Sequence, residues 1–306
     1  MPSLQGRVFN AANRRLIRRR YGLDEYALAK RARRIWGSPR FWQWIHSRGL
    51  IVRAVDENGV RGEWLETKAA AEDTLFYIHG GGFVCCSART HRPITAALAR
   101  ATRFRVFSLK YRLAPEARFP AALDDAFAAY RWLLRQNIPP AKIALAGDSA
   151  GGGLVLALLL RLRDAHLPLP ACAACFSPWA DLTGSGESNG TNADLDDMFC
   201  TENTGEFARA YLGEAAADNP YASPVFADFA GLPPVLFHVG STEILLDDSR
   251  RIHQKILASG GASELEIYED IFHCWQMAFG LLPEARDSLG KAAEFMRRHI
   301  RAAGSV

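Results

Sequence analysis

The chain has 306 residues, 49% of them hydrophobic, and a formal net charge of +4. This length allows one large α/β domain with an insertion as readily as two domains, and so mild a positive charge does not indicate a nucleic-acid partner. The longest apolar stretch, at residues 154–160, is far too short to span a bilayer, so we expect no stable membrane insertion.

Residues 1–46 are predicted to be helical and amphipathic, with many basic side chains and several aromatic residues near the end. A solvated basic face with an aromatic face packed on the body would explain this pattern. A lid over a substrate pocket, or a membrane-surface contact through Arg14 to Arg20, would also explain it. Because these arginines precede any apolar run, we expect no signal peptide and a cytoplasmic protein.

Eight segments are predicted to be strands. Asn58 and Gly59 lie between the first two of them, and Asn-Gly is a strong signal for a tight hairpin turn. Strands and helices then alternate, which favours a mostly parallel sheet covered by helices on both faces, with the hairpin as its antiparallel edge. The predicted strands are residues 50–56, 60–66, 73–78, 104–109, 142–147, 172–177, 234–239 and 264–269, and the predicted helices after the hairpin are residues 89–101, 120–136, 150–164, 246–259 and 283–302.

The most informative stretch is GDSAG at residues 147–151, between a predicted strand and a predicted helix. A serine between two glycines at such a turn is the nucleophile-elbow pattern, in which a strained backbone exposes the hydroxyl above the sheet. Ser149 is therefore the candidate nucleophile. The amide of Ala150, at the helix N-terminus, would stabilise a developing oxyanion.

A second glycine-rich turn, HGGGF at residues 79–83, follows a predicted strand and leaves several backbone amides uncovered. Such a turn can bind an anion through amide hydrogens. The sequence has neither G-K-[ST] nor G-x-G-x-x-G, so a phosphate cradle is disfavoured. Paired with the serine turn, it is interpreted as an oxyanion hole formed by the amides of Gly80, Gly81 and Ala150.

Together these motifs resemble the hormone-sensitive-lipase-like esterases, the bacterial family IV of the α/β-hydrolases. The resemblance extends over about residues 45–300. It implies an α/β-hydrolase fold, with residues 47–306 as the catalytic domain and residues 1–46 and about 183–215 as a helical cap. The motifs that carry it are HGGGF at 79–83, YRLAPE at 111–116, FPAA at 119–122, GDSAGG at 147–152 and SPWADL at 177–182.

In this fold the nucleophile precedes the acid, and the acid precedes the histidine. His273 follows the last predicted strand in a loop that could face the pocket, and it matches the C-terminal histidine of the resembled family. His238 lies within an apolar strand, which favours a buried structural role. The remaining histidines after the nucleophile, His166, His253 and His299, fall at a helix end or on charged helices.

The acid is expected after the strand at 234–239. The resemblance aligns Glu243 with the family's acid, which is more commonly aspartate, and Asp247 is the alternative. Cys172 and Cys175 form a CxxC inside an apolar strand with no second pair, so we expect neither a zinc site nor a redox centre.

These residues predict a serine carboxylesterase that needs no cofactor and acts on short- to medium-chain acyl esters through an acyl-enzyme. An amidase or a lactonase would use the same machinery, because the pocket decides the substrate. A non-catalytic ligand receptor on the same fold, or a membrane-surface lipase, would also be compatible with this sequence. The resemblance further allows a homodimer through the edge strand near residues 264–269.

Overall fold

A computed structural model describes residues 1–18, 22–37 and 40–303, with the backbone alone at Arg40 and Trp42. Its central element is a single eight-stranded sheet. The strands are β1 (Ile51–Glu57), β2 (Val60–Glu66), β3 (Thr74–Ile78), β4 (Arg105–Leu109), β5 (Ile143–Asp148), β6 (Cys172–Phe176), β7 (Val235–Gly240) and β8 (Ser263–Tyr268).

The strand order is β1-β2-β4-β3-β5-β6-β7-β8. β2 pairs antiparallel with both β1 and β4, and every other pair is parallel. Asn58 and Gly59 both have positive φ values, 52° and 80°, as the predicted hairpin turn requires. The predicted mostly parallel sheet with an antiparallel edge is confirmed. β8 forms the other edge, where pairing of two copies stays a prediction.

Helices cover both faces of the sheet. Alternate side chains of β3 enter two different cores: Phe76 belongs to the buried cluster that contains Leu154, whereas Leu75 belongs to the cluster that contains Leu289. This two-sided burial explains why the central strands are almost continuously apolar. The helices within the described ranges are α1 (Leu4–Leu16), α2 (Glu25–Ile35), α3 (Arg40–Ser47), α4 (Arg92–Thr102), α5 (Ala121–Arg135), α6 (Ala150–Asp164), α7 (Ser188–Thr191), α8 (Thr201–Leu212), α9 (Leu246–Ala258) and α10 (Pro283–Ala303).

The N-terminal helices are tied to the rest of the chain by ion pairs and by a buried apolar face. Arg14 Nε lies 3.0 Å from Asp197 Oδ1, and Arg33 donates two hydrogen bonds of 2.7 Å to Glu116. Leu28 of α2 is 1% exposed within the main core. Part of the predicted basic face is therefore engaged in contacts within the protein.

Other residues of the N-terminal basic segment, Arg19 and Arg20, lie outside the described residues. No helix in the described part of the chain has both the length and the apolar character needed to cross a membrane.

Candidate active site

Ser149 occupies the turn between β5 and α6. Its φ of 52° and ψ of −126° lie in a region that non-glycine residues rarely adopt, and such strain concentrates at functional sites. The Ser149 amide donates to the Phe176 carbonyl at 2.8 Å, which fixes the turn on the neighbouring strand. A Cβ at Gly151 would collide with the carbonyl oxygen of Ile78, so glycine is required where α6 crosses β3.

His273 and Glu243 meet beside this turn although 30 residues separate them. His273 Nδ1 lies 2.5 Å from Glu243 Oε2, and the two residues are 3% and 1% exposed. Burial lowers the pKa of His273, but the charge of Glu243 and the hydrogen bond to it outweigh burial and leave that pKa raised.

The second ring nitrogen of His273 is available. His273 Nε2 is buried and has no hydrogen-bond partner among the described residues, so it is not hydrogen-bonded to the Ser149 hydroxyl. Both residues line the same cavity. Catalytic hydrogen bonds are often long or poorly aligned before substrate binds, so this arrangement is compatible with a serine–histidine pair.

A buried network holds the Glu243 carboxylate. Its Oε1 accepts hydrogen bonds of 2.6 Å from the Ser177 hydroxyl and from the Gly240 amide. Asn192 Nδ2 donates to the Glu243 carbonyl at 2.8 Å, and Asp196 Oδ2 accepts from the Ile244 amide at 2.9 Å. Both oxygens of the Glu243 carboxylate are therefore occupied as acceptors.

Sequence reasoning missed Asn192 and Asp196, because they lie in an irregular segment whose path a single sequence does not reveal. Burial raises the pKa of Asp196 to about 6, although three backbone amides donate to its carboxylate and oppose that rise. Ser177 opens the SPWADL motif, so its position was identifiable although its contact with the acid was not.

Asp247, the alternative acid, has other partners. Its Oδ2 accepts a hydrogen bond of 2.8 Å from the Ser188 amide, and its Oδ1 lies 3.6 Å from an Arg250 guanidinium nitrogen. It sits in the first turn of α9, where a negative charge is favourable. The carboxylate hydrogen-bonded to His273 is that of Glu243, not that of Asp247.

The glycine turn differs from expectation at its first glycine. The Gly80 amide donates a hydrogen bond of 3.1 Å to Asp148 Oδ1. The prediction that this amide is free to bind an oxyanion is therefore wrong. Gly80 does not line the cavity, whereas Gly81 and Gly82 do. The amides of Gly81, Gly82 and Ala150 donate to no acceptor among the residues described.

A second buried charge pair lies beneath the glycine turn. Asp148 also accepts from the Tyr77 hydroxyl at 2.5 Å, and its Oδ2 lies 3.0 Å from His91 Nε2. Burial lowers the pKa of His91, but Asp148 more than offsets this and raises it to about 9. Asp148 thereby links the serine turn to the glycine turn, and the Tyr111 hydroxyl supports the glycine turn by donating to the His79 carbonyl at 2.9 Å.

The cavity above Ser149 has a volume of about 560 Å³ and is mainly apolar. Its walls combine the sheet end with the N-terminal segment and with the segment around α8. No three His, Cys, Asp or Glu side chains in the described ranges are grouped as a metal site requires. The cavity residues contributed by those two segments are Phe9, Asn13, Trp36, Ile45, His46, Met198, Phe199, Thr204 and Phe207.

Known proteins that are similar to this chain include an acetyl-hydrolase and an esterase. An acetyl-hydrolase from Streptomyces hygroscopicus is 43% identical over 235 residues, which is 77% of this chain and 79% of that protein. An esterase from Acinetobacter venetianus is 38% identical over 245 residues, covering 80% of this chain and 81% of that protein.

Solved structures of esterases are also similar to this chain. EstE5, in crystals soaked with p-nitrophenyl butyrate, is 38% identical with a TM-score of 0.89 and covers 98% of this chain and 99% of its own. An esterase from the bacterial hormone-sensitive lipase family is 40% identical with a TM-score of 0.82, covering 90% of this chain and 98% of its own. A family model described as the α/β hydrolase fold matches residues 75–277. The protein is a hydrolytic enzyme that belongs to the α/β-hydrolase fold family, among the bacterial hormone-sensitive-lipase-like esterases.

Proposed function

We propose that the protein hydrolyses carboxylic esters through a triad of Ser149, His273 and Glu243. The observation that carries this proposal is the 2.5 Å bond between His273 Nδ1 and Glu243 Oε2, formed at the cavity into which the strained serine turn opens. An acid that orients a histidine, beside a serine on a sharp turn, is the arrangement that activates a serine hydroxyl.

In this mechanism the Ser149 hydroxyl attacks the ester carbonyl while His273 Nε2 takes its proton. Glu243 holds the proton on Nδ1 and stabilises the imidazolium. The imidazolium then protonates the leaving alcohol, and water hydrolyses the acyl-enzyme by the same steps.

The amides of Gly81, Gly82 and Ala150 are proposed to bind the oxyanion of the tetrahedral intermediate. Gly81 and Gly82 have φ values of 110° and 57°, which glycine adopts without steric cost. The loss of one such donor typically costs about 3–4 kcal/mol of transition-state stabilisation. We propose that Asp148 only positions this turn, through its bond to the Gly80 amide.

The proposed substrates are esters with short or medium acyl chains, and residues 1–46 and about 183–215 are proposed as the cap that closes the cavity. Bulky side chains such as Trp36, Phe199 and Phe207 bound the volume of about 560 Å³.

We expect kcat/KM in a p-nitrophenyl ester series to peak at roughly four to eight acyl carbons and to fall for longer chains, because a modest enclosed cavity limits the buried length. A steady rise beyond about twelve carbons would contradict this preference.

The activity should also depend on pH through His273, because the base must be neutral to accept the serine proton. Since the pKa of His273 is raised above its ordinary value of 6.5, kcat/KM should fall as the pH drops through that raised pKa. In Glu243→Gln the raising charge is lost and burial remains, so the midpoint of this acid limb should move to lower pH. A wild-type midpoint below the ordinary value, or no movement in the variant, would contradict the assignment.

A further inference from the structure

Asp196 is a buried carboxylate of the proposed cap, yet the mechanism above does not use it. The residue is 1% exposed. Its Oδ1 accepts hydrogen bonds of 2.8 Å from the amides of Met198 and Phe199, and its Oδ2 accepts one of 2.9 Å from the Ile244 amide. The first two amides belong to the cap, and the third belongs to the turn that carries Glu243. One carboxylate therefore joins two segments that are 48 residues apart.

Both ends of this link lead to a residue of the proposed triad. At one end, Ile244 directly follows Glu243 in the chain. At the other end, the Phe199 ring lies edge-on to the His273 ring, with their centroids 4.9 Å apart. This is a favourable arrangement for two rings, and such packing restricts the rotation of the imidazole. Asp196 therefore supports the acid through the backbone of its turn and supports the base through a ring contact.

Two other side chains of the same cap segment bind the acid turn. Asn192 Nδ2 donates to the Glu243 carbonyl at 2.8 Å, and the Ser188 hydroxyl donates to the Ile244 carbonyl at 2.8 Å. Asp196 differs from these two because it carries a charge. Hydrogen bonds to an ionised group are stronger than those between neutral groups. The bond from the Ile244 amide to Asp196 should therefore contribute most to holding the acid turn on the cap.

The charge of Asp196 also acts on the base. Burial lowers the pKa of His273, whereas the negative charges of Glu243 and Asp196 raise it, and that of Asp148 adds to the rise. His273 becomes an imidazolium when it takes the Ser149 proton, so a negative charge nearby favours that step. Burial raises the pKa of Asp196 itself to about 6, so this carboxylate is mostly ionised at about pH 8.

We propose that Asp196 is a positioning residue that couples the cap to the triad, holding the turn of Glu243 and the ring of His273 in their working geometry. This inference rests on the proposed function, because it concerns a reaction that uses both residues. It makes part of the cap a component of the catalytic geometry and not only a wall of the cavity. Asp196 does not itself line the cavity, so its loss should lower kcat more than it changes KM.

Asp196→Asn in the full-length protein separates the two sides of the link. The amide oxygen can still accept from both cap amides, whereas the NH₂ group would face the N–H of Ile244, and two donors cannot bond. With p-nitrophenyl butyrate at about pH 8 we expect kcat to fall by about tenfold or more and KM to change by less than about threefold. The acid limb of kcat/KM should move to lower pH, because a charge that raises the pKa of His273 is lost.

Asp194→Asn is the matched control from the same segment. The Asp194 side chain is fully exposed, and its Oδ1 lies 3.8 Å from an Arg18 guanidinium nitrogen. Since exposed ion pairs contribute little, this variant should change kcat by less than about twofold and leave the acid limb in place.

Each kcat is expressed per active site, counted by exhaustive labelling of Ser149 with a fluorophosphonate. A role in folding alone would reduce the labelled fraction and leave both kcat per site and the acid limb unchanged, and this result would overturn the inference. If Asp196→Asn is insoluble, Asp196→Ser is measured by the same criteria, because a serine hydroxyl can accept from the cap turn but is too short to reach Ile244. A wild type inert toward both the probe and the esters would instead contradict the proposed function.

Discussion

Replacing Ser149 by alanine is expected to lower kcat for p-nitrophenyl butyrate by about 10⁴-fold or more. The alanine variant keeps the cavity and the free amides of the proposed oxyanion hole but has no group that can form the acyl-enzyme. Residual rates in serine hydrolases without their nucleophile come from oxyanion stabilisation and substrate binding alone. Steady-state kinetics at saturating substrate measures the effect.

Ser259→Ala is the matched control. The Ser259 hydroxyl donates to the Ile256 carbonyl at the end of α9, and the residue does not line the cavity. Its replacement should change kcat by less than about twofold, because isolated surface changes rarely exceed about 0.5 kcal/mol. A Ser149→Ala variant that is folded and retains more than about a tenth of the wild-type kcat would contradict the assignment of the nucleophile.

Glu243→Gln is expected to lower kcat/KM by about 10²- to 10⁴-fold. The reason is visible in the hydrogen bonds of the carboxylate. Oε2 accepts from His273, and Oε1 accepts from Ser177 and from Gly240, so both oxygens face donors. A glutamine amide must point its NH₂ group at one of these donors, which breaks the acceptor network or turns the imidazole to the wrong tautomer.

Asp247→Asn provides the comparison that separates the two candidate acids. Asp247 interacts with the Ser188 amide and with Arg250, so its loss should affect α9 and leave kcat/KM within about threefold of the wild type. Glu243→Asp, measured alongside, should recover part of the loss because it restores the charge. The reverse ranking, with Asp247→Asn more damaging than Glu243→Gln at equal thermal stability, would make Asp247 the acid.

The sheet was predictable because its signals are local. Apolar runs of five or six residues, the Asn58-Gly59 turn and the intervening helical segments each specify their own element. The serine turn is local as well, since strand, turn and helix adjoin within residues 143–164. These features need no knowledge of contacts between distant segments.

The errors and omissions involve long-range contacts. The Gly80 amide was expected to be free, but Asp148, 68 residues away, accepts its hydrogen bond. The contact of Asn192 with the acid turn depends on the path of an irregular segment. Such pairings are set by tertiary packing, which residue patterns do not encode.

The most direct test of the triad is covalent labelling of the wild-type protein with a fluorophosphonate, followed by peptide mapping. We expect a single adduct on Ser149, within the tryptic peptide of residues 143–161, and a labelling rate at least about tenfold lower in His273→Ala and in Glu243→Gln. An adduct on another residue, or labelling of Ser149 at the wild-type rate in both variants, would contradict it.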